Sequence, residues 1–313
     1  MMSIRTFFKL VEIQTKLASL FPFLIGSLFV IYYYETFNLL NTLIFFGSML
    51  IFDLTTTAIN NYMDYVKATN DKYRKESNII GQKNIPEKVV VRTIFTLLFI
   101  AIGLGIWLVF KTSLLVLFVG IGCFAVGVFY TFGPIPLSRM PLGEVFSGLT
   151  MGFGIVFLIV YVNAYDQGII DFIWQGQFIS FHADLKLLLE IALVSAPCIF
   201  TIAGVMLANN LCDLEEDVLN ERYTLPFYLG KRRSINLFNT LYILSFISIL
   251  AAVYLNLMPV TALLSLVAIL PVYHNVRQFN QKQVKSETFV LSIKNLVLVN
   301  GAIVTMLGIS FFF

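Results

Sequence analysis

Asn209-Asn210-Leu211-Cys212-Asp213-Leu214-Glu215-Glu216-Asp217 closes a long apolar run with a dense set of carboxylates and amides. A twin stands in the first half of the chain, at Asn60-Asn61-Tyr62-Met63-Asp64. The pattern N-N-x-x-D therefore occurs twice, each time where a hydrophobic segment gives way to a charged loop. Any reading of the fold has to explain two acidic helix ends.

Hydrophobic residues make up 58% of the 313, charged residues only 12%, and the mean hydropathy is +0.85, which excludes an ordinary soluble domain. A hydrocarbon core about 30 Å thick needs about 20 apolar residues per helix. The chain breaks into nine such runs, near 14–34, 40–63, 89–110, 113–130, 143–163, 186–211, 235–256, 259–276 and 288–312. No hydrophilic segment is long enough to fold by itself, so the expectation is an all-α, polytopic membrane bundle forming a single domain over 1–313. Cys123, Cys198 and Cys212 lie in or beside apolar runs without C-x-x-C spacing, which argues for packing rather than a disulfide framework or zinc site. The first apolar run lacks a small-residue cleavage site and reads as a retained helix, with 1–12 as an amphipathic lead-in lying on the membrane.

Lys and Arg fall unevenly among the loops. The N-terminal lead and the loops after runs 2, 4, 6 and 8 hold nearly all of them, including Lys16, Lys67, Arg139, Arg222 and Lys285, whereas the opposite side holds only Lys111 and Lys186. Lys294 lies inside the ninth run, near enough to its start to snorkel. Positive residues stay on the cytoplasmic side. The N-terminus and both acidic motifs are thus expected to face the cytoplasm of a cell-membrane protein, with the C-terminus outside. The net charge of +3 reflects this bias; no basic stripe with stacking aromatics suggests nucleic acid.

Asp53, Thr57, Asn60 and Asp64 share one helical face, as do Asn209, Asp213 and Asp217, with Asn210 and Glu216 flanking. An ionisable group such as Asp53 is too costly against lipid, so the first face should meet a protein-lined cavity or a polar partner. The alternative is a helix-packing stripe in which Thr57 and Asn60 bond to neighbours. Like-charged carboxylates on one face repel, which calls for a compensating cation. Oxygen donors without His or Cys indicate Mg²⁺, an ion that keeps several waters and bridges a few carboxylates to substrate phosphates. The basic residues that follow each motif, with Lys67 and Arg222 nearest, could meet the remaining phosphate charge.

These features resemble the UbiA-type intramembrane aromatic prenyltransferases. The family's first aspartate-rich motif, N-x-x-x-D with a further Asp downstream, matches Asn60 and Asp64; the second, N-x-x-x-D-x-x-x-D, matches Asn209, Asp213 and Asp217. Tyr130-Thr131-Phe132-Gly133-Pro134-Ile135-Pro136-Leu137 with Gly143-Glu144 resembles a segment of the subgroup that prenylates 1,4-dihydroxy-2-naphthoate, and Arg222-Tyr223-Thr224-Leu225 a basic-x-T-L segment. The chain departs from the pattern at Asn61, where the family usually has Asp, and at the last Asp of the first motif, for which Asn70 or Asp71 substitutes. Glu221-Arg222 replaces the usual Gly-Lys.

The resemblance implies nine helices around a central cavity, with both motif loops on the cytoplasmic side. It also implies Mg²⁺ held by Asp64, Asp71, Asp213 and Asp217, the first, third and fourth of these being essential for catalysis. Asn60, Asn209, Asn210, Lys67 and Arg222 would contact a polyprenyl diphosphate, and Tyr130 and Arg139 the aromatic acceptor, Arg139 through a carboxylate. With 1,4-dihydroxy-2-naphthoate, carbon dioxide and diphosphate would leave and demethylmenaquinol form. Alternative acceptors are 4-hydroxybenzoate, haem or homogentisate. A cation-coupled transporter is a further reading, since half-repeats and intramembrane Asp also mark transporters. His182 and His274 lack ligand-spaced companions, and nothing calls for an obligate protein partner.

Overall fold

The structure is a computed structural model describing residues 2–68, 78–131 and 139–312, with side chains for all but 128–131. Its helices in chain order are α1 (Ile4–Leu10), α2 (Leu17–Tyr33, entered through a 3₁₀ turn at Ile13–Lys16), α3 (Leu39–Lys67), α4 (Ile79–Gln82), α5 (Glu87–Lys111) and α6 (Leu114–Thr131). After them come α7 (Gly143–Ser147), which runs through a π-helical turn (Gly148–Gly154) into α8 (Ile155–Ala164), and a hairpin of β1 (Ile170–Gln175) and β2 (Phe178–Ala183). The chain ends with α9 (Leu185–Cys212), α10 (Leu214–Leu219), α11 (Leu225–Leu229), α12 (Lys231–Tyr254), α13 (Ile269–Gln281, after 3₁₀ Val260–Ala268) and α14 (Phe289–Ile309).

Each of the nine predicted runs coincides with a helix. Among the described residues eight helical segments are long and apolar enough to cross a membrane, and α6 carries a shorter apolar stretch, Leu114–Gly127. Two boundaries differ with consequence. Helix α3 continues to Lys67, four residues past the expected end, so the first acidic motif is followed by almost another helical turn. The antiparallel hairpin, with Ile170 opposite Ala183 and Gln175 opposite Phe178, was not expected.

The chain forms two compact units. The first comprises Met1–Ser19 and Leu43–Pro136. Its core joins Leu10 and Val11 to Leu54 and Ala58 of α3, Ile80 of α4, Ile85, and Val90 and Ile94 of α5. The N-terminal lead is therefore docked on one side, while Ile4 and Phe8 stay exposed on the other. Lys16, expected as a topology determinant, is instead buried, with its ammonium donating to Asp53 Oδ1 at 2.7 Å and Thr57 Oγ1 at 2.6 Å. Ser19 Oγ donates to Asp53 Oδ2 at 2.7 Å, which completes the carboxylate's partners. Of the two expectations for Asp53, the polar partner holds. Placing a charge in the apolar segment is tolerable because both members of the pair are hydrogen-bonded.

The second unit comprises Leu20–Thr42 and Leu137–Phe313, with α9 at its centre against α12, α14, α7 and the π-helical turn. Asp184 caps α9 by accepting from the Lys186 and Leu187 N–H groups. Close approach comes from glycine: a Cβ on Gly152 would sit 2.6 Å from the Ile199 backbone, and one on Gly148 2.9 Å from the Ile199 carbonyl oxygen. Polar side chains also join the helices, Asn300 of α14 donating to Thr201 Oγ1 of α9 at 2.8 Å. This packing fixes the end of α9, and with it the second acidic motif.

Candidate active site

Helix α9 stops at Cys212 because Asp213 leaves helical geometry, at φ −98° and ψ 4°, and α10 begins at the next residue. Hydrogen bonding of the i to i−4 kind nevertheless continues through the bend. The Asp213 N–H donates to the Asn209 carbonyl at 3.1 Å, and the Asp217 N–H to the Asp213 carbonyl at 2.7 Å. Helical backbone bonding thus links the three motif residues across the kink.

Their oxygens have two different environments. Asn209 Oδ1 and Asp213 Oδ2 both accept from the ammonium of Lys285, the latter at 2.5 Å. One cation therefore occupies the point where the two side chains converge. Asp217 is buried; its Oδ1 lies 3.3 Å from Arg222 Nε, and its Oδ2 has no hydrogen-bond partner. Burial pushes the Asp217 carboxyl above the usual carboxylate range; Arg222 opposes that shift, and the neighbouring Asp213 charge adds to it. The chain reaches this pairing by turning back at Glu221, whose φ of 55° lets the Arg222 N–H donate to the Asp217 carbonyl at 2.8 Å.

Asn210 faces elsewhere. Its amide donates to Glu144 Oε1 at 2.8 Å in a buried contact, and Glu144 Oε2 is left without a partner. Asn210 thus ties the motif to the first turn of α7. Glu215, exposed where Asp217 is buried, lines an apolar groove of about 490 Å³ with Leu214, Val218, Leu219 and Phe227.

In the first unit, Asp64 and Lys67 are exposed on the last turns of α3, and Asn60 is half-buried one turn earlier. Asn61, the departure from the family pattern, has an evident local use. Its amide donates to the Leu10 carbonyl at 2.9 Å and Glu12 Oε1 at 3.1 Å, and its own carbonyl accepts from Asn78 at 2.9 Å. An aspartate there would lose both donations and repel Glu12. Arg139 is exposed at the start of the turn before α7. Asn70, Asp71 and 132–138 lie outside the described residues, as does the side chain of Tyr130.

The residues present suit Mg²⁺. Among the described residues no three His, Cys, Asp or Glu side chains cluster as a closed cage. Two carboxylates and an amide oxygen from the second motif remain, all hard donors. Two of them already converge on a cation and the third side chain has an orphaned buried oxygen. This is the sparse, oxygen-only set that an ion retaining its waters uses. Sequence reasoning missed two pairings, that of Lys285 with Asn209 and Asp213 and that of Glu144 with Asn210. Lys285 was one of many basic residues on the motif side, and no spacing set it apart.

The profile of the UbiA prenyltransferase family matches residues 19–296, nearly the whole chain. A 1,4-dihydroxy-2-naphthoate octaprenyltransferase of Bacillus subtilis (strain 168) is 28% identical over 244 residues, covering 77% of this chain and 71% of its own. The apo structure of a UbiA homolog from Aeropyrum pernix K1 superposes with a TM-score of 0.70 at 16% identity, over 93% of this chain and 98% of that one. A UbiA homolog from Archaeoglobus fulgidus bound to DMAPP and Mg²⁺ gives 0.61 at 13% identity, over 95% and 99%. At such identities the structural likeness establishes the fold, and the family follows from the profile. The chain is an integral membrane protein that belongs to the UbiA prenyltransferase family.

Proposed function

We propose that the chain, acting as one prenyltransferase domain, transfers a polyprenyl group from polyprenyl diphosphate to 1,4-dihydroxy-2-naphthoate, with loss of carbon dioxide and diphosphate. The observation that carries the transferase reading is the convergence of Asn209 and Asp213 on one cation beside the buried, unpartnered Asp217 oxygen. Asp64 and Asn60 of the first motif, with Asp71, serve the same chemistry. The choice of acceptor is supported by the Bacillus subtilis relative and by the segment from Tyr130 to Glu144.

Mg²⁺, when bound, neutralises the diphosphate and so stabilises it as a leaving group. The protein's part is to hold charge and exclude water. Asp213 and Asp217 supply negative charge at the end of α9, and Arg222 restrains Asp217 while staying about one-third exposed, so that it can also meet phosphate. Lys67 is the corresponding cation of the first motif. The allylic C–O bond breaks with its electron pair leaving on the diphosphate, and the electron-rich ring attacks the allyl carbon. The ring regains aromaticity as its bond to the carboxylate carbon breaks, returning that electron pair to the ring and releasing carbon dioxide. Tyr130 and Arg139 serve the acceptor, Arg139 by pairing with the acceptor's carboxylate. The Lys and Arg bias supports a cytoplasmic site, with the N-terminus inside and the C-terminus outside.

Membranes supplied with a polyprenyl diphosphate and each candidate aromatic test this directly. Prenylated product and released carbon dioxide are expected with 1,4-dihydroxy-2-naphthoate and little product with 4-hydroxybenzoate; EDTA abolishes turnover and Mg²⁺ restores it. The reverse acceptor preference would refute the acceptor and leave the family intact. Full activity without divalent metal would refute the metal-bridged site.

A further inference from the structure

Lys285 stands at the tip of a tight turn between α13 and α14. Val284 anchors that turn, its carbonyl accepting from the Glu287 and Thr288 N–H groups and its N–H donating to Thr288 Oγ1 at 2.9 Å. Thr288 is buried, so the base of the turn is fixed while its tip reaches out. The neighbouring Lys282 is engaged by Glu287 at 2.7 Å. The Lys285 ammonium, by contrast, extends to Asn209 and Asp213 and lies 4.9 Å from the centre of the Phe289 ring.

A divalent cation held by both Asn209 Oδ1 and Asp213 Oδ2 would need the place between them that the Lys285 ammonium fills, and two cations crowded there repel. Lys285 is half-exposed, and an ion pair that open to water is only weakly held, so a divalent cation can displace it. Its stem remains tethered at Val284 and Thr288, so the displaced ammonium stays beside the motif. We propose that Lys285 is a resident counter-ion of the second acidic motif, one that competes with the divalent cation for Asp213 and then contacts the diphosphate. This rests on the prenyltransferase reading of the same site.

The two roles have opposite signs in one substitution. A cation that binds only when the lysine is withdrawn has its apparent affinity reduced by the withdrawn fraction, so a contact closed about nine-tenths of the time costs about tenfold. Purified protein is titrated with Mn²⁺ by electron paramagnetic resonance, alone and with geranyl S-thiolodiphosphate, for wild type, Lys285→Met, Lys285→Arg and Asp213→Asn. Lys285→Met should bind Mn²⁺ alone about tenfold more tightly yet bind the thiolodiphosphate with Mn²⁺ about tenfold more weakly, and Lys285→Arg should stay near wild type in both. Unchanged Mn²⁺ affinity in Lys285→Met would overturn the competition, and unchanged analogue affinity the diphosphate contact. A fall in both would mark a structural strut and overturn the proposal. A wild-type protein with no Mn²⁺ site sensitive to Asp213→Asn would refute the underlying metal site, and this inference with it.

Discussion

Asp213 and Glu215 are two residues apart, carry the same charge and do opposite things, because about 200° of helix rotation separates them. Asp213 reaches a cation and Glu215 an apolar groove. Asp64→Asn and Asp213→Asn should each remove most turnover, since asparagine keeps the shape and withdraws only the charge, whereas Glu215→Gln should be mild. Normal activity in both Asn variants at normal membrane levels, with a dead Glu215→Gln, would reverse the assignment. Lys16 and Asp53 offer a contrasting pair, largely shielded from solvent and mutually hydrogen-bonded. Removing one partner of such a pair costs about 3–5 kcal/mol, so Lys16→Met should lower the thermal midpoint in detergent markedly and Lys16→Met/Asp53→Asn should recover much of it. Additive losses would mean that the pair is not coupled. The chemistry of the acidic residues was legible because charge in an apolar run needs a reason. Their partners were not, since Lys16 and Lys285 come from distant parts of the sequence and look like any other basic residue near a membrane surface.

At the level of elements, the apolar runs marked every spanning helix, since satisfying the backbone inside a bilayer leaves few other options. The hairpin escaped that search although its own signal is present. Phe172 and Trp174 alternate with Asp171, Ile173 and Gln175, and Gly176 at the turn has the positive φ of 59° that a two-residue hairpin loop with a leading glycine uses. Close helix approach was equally hidden, because a glycine facing a neighbour looks in sequence like a glycine facing lipid. Gly152 and Gly103 separate the two cases. A Cβ at Gly152 meets the Ile199 backbone at 2.6 Å, and one at Gly103 meets nothing within 4 Å. Gly152→Ala should therefore destabilise by about 1–3 kcal/mol through overpacking. Gly103→Ala should be neutral or stabilise by up to about 1 kcal/mol, because it removes only chain freedom from an open helix face. Thermal unfolding of both variants in the same detergent decides it, and equal effects would mean that α9 does not constrain the π-helical turn.

For the molecule as a whole, charge and span count together make one claim about the membrane. Eight helices among the described residues have spanning length, and the sequence expectation of nine crossings counts the shorter apolar α6 as well; on that odd count the two termini should lie on opposite sides, and the Lys and Arg bias sets which is which. The structure removes Lys16 from that tally, because its ammonium is buried on Asp53, yet the imbalance among the remaining basic residues stays large. Helix α9 carries the consequence within a single element. It has 28 residues, about 42 Å of helix, with the hairpin before its first residue and the acidic motif at its last turn. Those two features should therefore be exposed to opposite compartments. In a background with Cys123, Cys198 and Cys212 replaced by Ala, Gln177→Cys on the hairpin turn should react with a membrane-impermeant maleimide in intact cells. Asn220→Cys, in the exposed loop after α10, should react only once the membrane is permeabilised. The opposite labelling would invert the topology and put the acidic motif outside the cell. Labelling of both positions in intact cells would mean that α9 does not cross the membrane at all.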